Sequence, residues 1–107
     1  MKALLTVILV FLATTLFCQV TAIHFNADWN SANSVEWFSK LSDVDQDNMD
    51  IGSGDCQKKY SIAVVPTIII FDDGEEVKRF QADLSFKMIA TKKEIQNYID
   101  ELIISKF

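Results

Sequence analysis

Apolar and polar positions alternate in several short registers along this chain, and each register predicts one element. Val20–Asn26 (VTAIHFN) is a β-prone run, closely followed by Trp29. Val35, Phe38 and Leu41 recur at three-residue spacing, which predicts a helix over 31–41 with one apolar face. Over 48–51, Met49 and Ile51 fall on one side and suit a short strand. Gly52-Ser53-Gly54 breaks the chain, and Ser53 is placed to cap a helix running to Tyr60. Over 67–71 the sequence TIIIF is a continuous β-branched run, the pattern of a strand buried on both faces. Asp73-Gly74 is a two-residue hairpin signal, with 76–80 as the return strand. Thr91 and Glu94 form a capping box before a helix whose buried stripe is Ile95, Tyr98, Ile99, Leu102 and Ile103. Between these last two elements Leu84, Phe86 and Met88 alternate, to cover a groove or to extend the hairpin.

The order is strand, helix, strand, helix, strand, hairpin strand, helix. Strand–helix alternation favours parallel pairing and the hairpin adds an antiparallel edge. The expected fold is α/β: a mixed sheet of about four strands with helices on both faces.

The N-terminus follows a different rule. Lys2 is the only charge before His24 and Asp28, and residues 3–17 are one apolar block ending in small and polar residues. That is the layout of a secretory signal peptide, and the block is shorter than the ~20 residues of a comfortable membrane span. The alternatives are a buried first element or a longer helix reaching Ala22. Cleavage after Cys18 keeps the first strand whole; cleavage after Ala22 fits the small-residue pattern at Val20 and Ala22 but trims it. Removing Lys2 leaves a domain one unit more acidic than the whole chain's formal −5. Such a charge excludes nucleic acid and anionic membrane surfaces as natural partners. A membrane enters only if the leader is uncleaved. Of the two cysteines, Cys18 and Cys56, only Cys56 then remains, so no internal disulfide is expected.

Particular residues bring in a family. The stretch Ile23-His24-Phe25-Asn26-Ala27-Asp28-Trp29 resembles the strand and tryptophan that lead into the Cys-x-x-Cys of thioredoxins. Val65-Pro66-Thr67 resembles the family's cis-proline turn, and Lys58–Ile62 the segment before it. The resemblance spans roughly residues 20–105, with the leader standing where full-length members carry a first strand and helix. It implies a thioredoxin-like domain at 19–107, and the leader read at 1–18, or as far as 22, places that domain in a secreted or periplasmic setting. Asn30-Ser31-Ala32-Asn33 stands where the family has its two cysteines. Disulfide exchange needs a thiolate that attacks and a second sulfur that resolves, and an asparagine amide supplies neither. His24 stands at the place of the family's buried carboxylate, and Gln81-Ala82 where a glycine keeps the substrate groove open.

The site residues implied are Asn30 and Asn33 as degenerate active-site positions, with Trp29, Asn30, Asn33, Val65 and Pro66 as a binding face for a protein or peptide. Either Asn33 or Ser31 is also placed to cap the following helix. No catalytic residue, metal or cofactor is expected. His24, the only histidine, reads as a hydrogen-bonded half-buried residue. Cys56 reads as a small buried hydrophobe on the side of its helix that carries Tyr60. Asp43, Asp45 and Asp47 alternate like a calcium loop, but Asn48 replaces the required glycine and Gly54 the closing glutamate, leaving an acidic connector. Two rival functions stand beside non-catalytic binding: disulfide exchange through Cys56 or a partner's thiol, and a structural subunit anchored by its leader.

Overall fold

The computed structural model describes residues 20–107. The leader, its cleavage after residue 18 and Cys18 lie outside the described residues. Four strands, β1 (Val20–Asn26), β2 (Asp45–Asp50), β3 (Thr67–Asp72) and β4 (Glu75–Gln81), form one sheet in the order β2-β1-β3-β4. Only β1 and β2 run parallel; β1–β3 and β3–β4 are both antiparallel, one antiparallel pairing more than the hairpin alone supplies. Asp73 and Gly74 both take positive φ, 53° and 82°, the conformation a two-residue hairpin between right-twisted strands requires.

The period of two along the central strands divides the core. Val20 and Ala22 of β1 and Ile68 and Ile70 of β3 meet Val35, Phe38, Leu41, Ile95 and Ile99 on one face. Ile23, Phe25 and Ile69 meet Ile62 and Val65 on the other. Helix α2 (Lys92–Ile104) covers the first face, and the one-turn helix α1 (Cys56–Lys59) contributes Cys56 to the edge of the second. The Thr91 hydroxyl accepts the Glu94 N–H at 3.2 Å, closing the cap of α2. None of the helices in the described residues is long and apolar enough to cross a membrane.

Two predicted helices come out differently. The stretch expected as one helix over 31–41 is two 3₁₀ turns, Asp28–Asn33 and Glu36–Lys40, with Ser34 and Val35 extended between them. Val35, Phe38 and Leu41 repeat every three residues without the fourth-residue partners of an α-helix, and a three-residue turn puts all three on the core. Neither turn has a side-chain cap, so the capping roles expected of Ser31 and Asn33 are not used. The helix expected from Ser53 begins only at Cys56, and Ser53 gives its backbone carbonyl to Cys56 N–H instead of its hydroxyl. Strand β2 starts three residues earlier than expected, because Asp45–Asp47 already pair with Thr21–Ile23.

Candidate functional site

The first 3₁₀ turn leaves the end of β1 and reaches the Val65–Pro66 bond, which is cis. Between them lies a cluster of amides. Asn30 is 4% exposed, and its Nδ2 donates to Asn26 Oδ1 at 3.1 Å, the Val65 carbonyl at 3.3 Å and the Phe86 carbonyl at 3.2 Å. Its Oδ1 accepts from Asn33 Nδ2 at 2.9 Å. Asn26 Nδ2 returns a bond to the Asn30 carbonyl and another to Ser34 Oγ at 2.9 Å. One buried side chain thus ties β1, the proline turn and the segment after β4 together. Buried amides are costly unless paired, and these are paired.

The residues of the binding face expected from sequence differ in their exposure. Of its five residues, Trp29 is exposed at 67%, Asn33 is half-buried, and Asn30, Val65 and Pro66 are buried. The Asn30 amide is spent inside the protein and has nothing to offer a partner. The Pro66 carbonyl is also taken, by Ala82 N–H at 3.0 Å, where the chain leaves β4.

The segment after β4 supplies what the sequence left open. Ala82 and Met88 form a bridge that closes a tight loop, and the Asp83 carboxylate accepts the Ser85 and Lys87 N–H groups at 2.9 and 3.2 Å. These bonds, with that of the Ser85 hydroxyl, hold the Asp83 carboxyl below its ordinary range. Phe86 sits at φ 65°, a left-handed conformation rare for an aromatic residue, and its ring meets Trp29 edge-on at 5.1 Å. Trp29 and Phe86, with Ile51, Ile62, Val64 and Val65, line a mainly apolar slot of about 100 Å³.

His24 is buried. Its Nε2 faces the Val35 N–H at 3.4 Å and so accepts, which leaves the proton on Nδ1 for Asn48 Oδ1 at 3.0 Å. Burial lowers its pKa more than the Asn48 bond raises it. Cys56 is half-buried, less covered than expected, with Sγ 3.7 Å from Met49 Sδ. Partial burial raises its thiol pKa; the Asp50 charge adds to this and Lys59 opposes it. Among the described residues Cys56 is the only cysteine, and no three histidine, cysteine or acidic side chains gather as metal ligands.

Solved structures match this architecture closely enough to decide it. Over 87% of this chain and 88% of the other, the reduced Schistosoma mansoni thioredoxin pre-protein aligns with a TM-score of 0.62 at 20% identity. The chain has the thioredoxin fold. Thioredoxin 1 of Thermosipho africanus aligns over 81% of this chain and 99% of its own with a TM-score of 0.59 at 24% identity. The Fasciola hepatica thioredoxin follows over 87% and 89%, at 0.57 and 20%. No protein-family model matches the chain, and neither does any curated protein sequence.

Within the thioredoxin fold, sequence reasoning missed Asn26 and Phe86 as parts of the site. Asn26 carried a signal, a buried amide closing the strand just before Trp29. Phe86 lay in the alternating 84–88 stretch. The Ala82–Met88 bridge closes that stretch on itself without lengthening the β3–β4 hairpin, and Phe86 lines the slot while Leu84 stays 93% exposed.

Proposed function

We propose that this domain is a non-catalytic thioredoxin-like module that docks a protein or peptide segment at the slot beside Trp29. The observation that carries the reading is the state of Asn30: a buried amide, bonded on both its nitrogen and its oxygen, at the position where the resemblance puts an attacking thiolate. Such a residue fixes the turn and performs no exchange. Next to it Trp29, which meets Phe86 edge-on, leaves a large aromatic surface exposed beside the slot. Export to a secreted or periplasmic compartment is supported by Lys2 and the apolar block at 3–17.

The test is a fluorescence titration with extended apolar peptides in a Trp37→Phe background, so that Trp29 alone reports. A saturable shift that Phe86→Ala weakens is the expected result. A titration that leaves the Trp29 emission and its quenching by iodide unchanged at millimolar peptide would refute docking.

A further inference from the structure

The loop after β4 holds one ring against the slot by means of one oxygen. Asp83 Oδ1 accepts the Ser85 N–H at 2.9 Å, the Ser85 hydroxyl at 2.6 Å and the Lys87 N–H at 3.2 Å. Ser85 and Lys87 are the chain neighbours of Phe86, so the carboxylate grips the backbone on both sides of it. The main chain closes the same turn, with the Phe86 N–H on the Asp83 carbonyl at 3.1 Å and the Asp83 N–H on the Lys87 carbonyl at 2.9 Å. Phe86 needs this holding, because a φ of 65° crowds the Cβ of any residue other than glycine. Of the loop's apolar residues Leu84, Phe86 and Met88, only Phe86 lines the slot, where its ring meets Trp29 edge-on at 5.1 Å.

We propose that Asp83 is a specificity-determining residue of the docking slot: by fixing Phe86 it keeps the slot at the size of a leucine side chain and shuts out a phenyl ring. The inference rests on the docking reading and adds the chemistry of the docked side chain and the residue that selects it. Size carries the choice. A benzene ring occupies an apolar cavity of ~150 Å³, whereas this slot holds about 100 Å³. One wall cannot retreat, because Ile62 and Val65 are buried members of the second cluster and Ile51 packs against it. The Phe86 ring is the opposite case, a wall that belongs to neither cluster and rests on the loop that Asp83 ties. Asp83 touches no docked group itself and acts through Phe86, as a positioning residue.

Two blocked extended peptides test it, identical except for a central leucine in one and phenylalanine in the other, each titrated into the protein in the Trp37→Phe background with Trp29 as reporter. The leucine peptide is expected to bind roughly tenfold tighter, the low end of the penalty for overfilling a fitted apolar site. In Asp83→Ala the preference is expected to fall to within about twofold, while Asp83→Asn, whose amide oxygen can accept the same three bonds, keeps it. Phe86→Ala is expected to abolish the preference as well, and adding Asp83→Ala to it to change nothing further, since the first residue acts through the second. Asp83 is exposed, so its replacement leaves the core untouched, and far-ultraviolet circular dichroism on each variant confirms the fold. Equal affinity for the two peptides in the unsubstituted slot overturns the size selection and leaves docking standing. Binding of neither peptide overturns docking, and the inference with it. A preference that survives in Asp83→Ala or Phe86→Ala, or that Asp83→Asn loses, overturns the assignment to Asp83.

Discussion

Replacing Asn30 by alanine is a severe perturbation for a residue that belongs to neither hydrophobic cluster. The side chain is 4% exposed, and its three donor contacts lie at 3.1, 3.3 and 3.2 Å. An amide nitrogen carries two hydrogens, so these contacts share two protons; the Oδ1 adds one accepted bond from Asn33 at 2.9 Å. Two donated bonds and one accepted bond, at about 1 kcal/mol net each, give a loss of ~2–4 kcal/mol once the Val65 and Phe86 carbonyls are left unpaired. That is a large share of the ~5–15 kcal/mol that holds a typical domain folded. Urea unfolding followed by circular dichroism measures it: with a slope near ~1 kcal/mol/M, the midpoint falls by ~2 M or more while the slope is unchanged. Asn33→Ala is the internal control. It is half-buried, makes one bond to Asn30, and is expected to cost only about 0.5–1 kcal/mol. A loss below ~0.5 kcal/mol for Asn30→Ala, or one no larger than that of Asn33→Ala, would refute the claim that the amide cluster holds the turn.

His24 gives the fold a pH dependence of known sign. Its pKa is lowered by burial, so the unfolded chain binds the proton more readily, and stability falls as pH drops below the ordinary histidine range. His24→Gln is expected to flatten that slope in urea midpoints compared at pH 7.5 and 5; an unchanged slope would place the dependence elsewhere. Cys56 is expected to react slowly with a thiol reagent in the native protein and quickly in urea, since partial burial and the Asp50 charge both disfavour the thiolate. Equal rates in the two states would return it to consideration as a reactive group. Maturation is expected to keep Val20 and Ala22, because both are buried in the first cluster and β1 pairs from Val20 onward. N-terminal sequencing of the exported protein that begins at Ile23 would contradict this.

The strands and the last helix were legible because their signals are local. The β-branched run of β3, the Asp73-Gly74 turn and the Thr91–Glu94 cap each need only neighbours in sequence to be recognised. The stretch after Trp29 was misread because one apolar residue in three satisfies the core with either an α or a 3₁₀ rise. What decided it was the linkage of Asn30 to Val65 and Phe86, positions 35 and 56 residues away. The site was half legible for the same reason. Asn30 and Pro66 were placed together by resemblance, yet whether they faced outward depended on the Ala82–Met88 loop, whose closure rests on Asp83 bonds that no periodicity announces. Trp29 alone of the expected face stayed exposed, and its partner there, Phe86, comes from that loop.

Turnover decides the central claim. Insulin reduction with dithiothreitol as the electron source, run on the protein and on Cys56→Ser, reads disulfide exchange directly. The account predicts that both proceed at the rate of dithiothreitol alone, because the Asn30 position holds a bonded amide and Cys56 is half-buried without a second thiol among the described residues. A rate above that background that disappears in Cys56→Ser would contradict it and make the domain a disulfide-exchange enzyme.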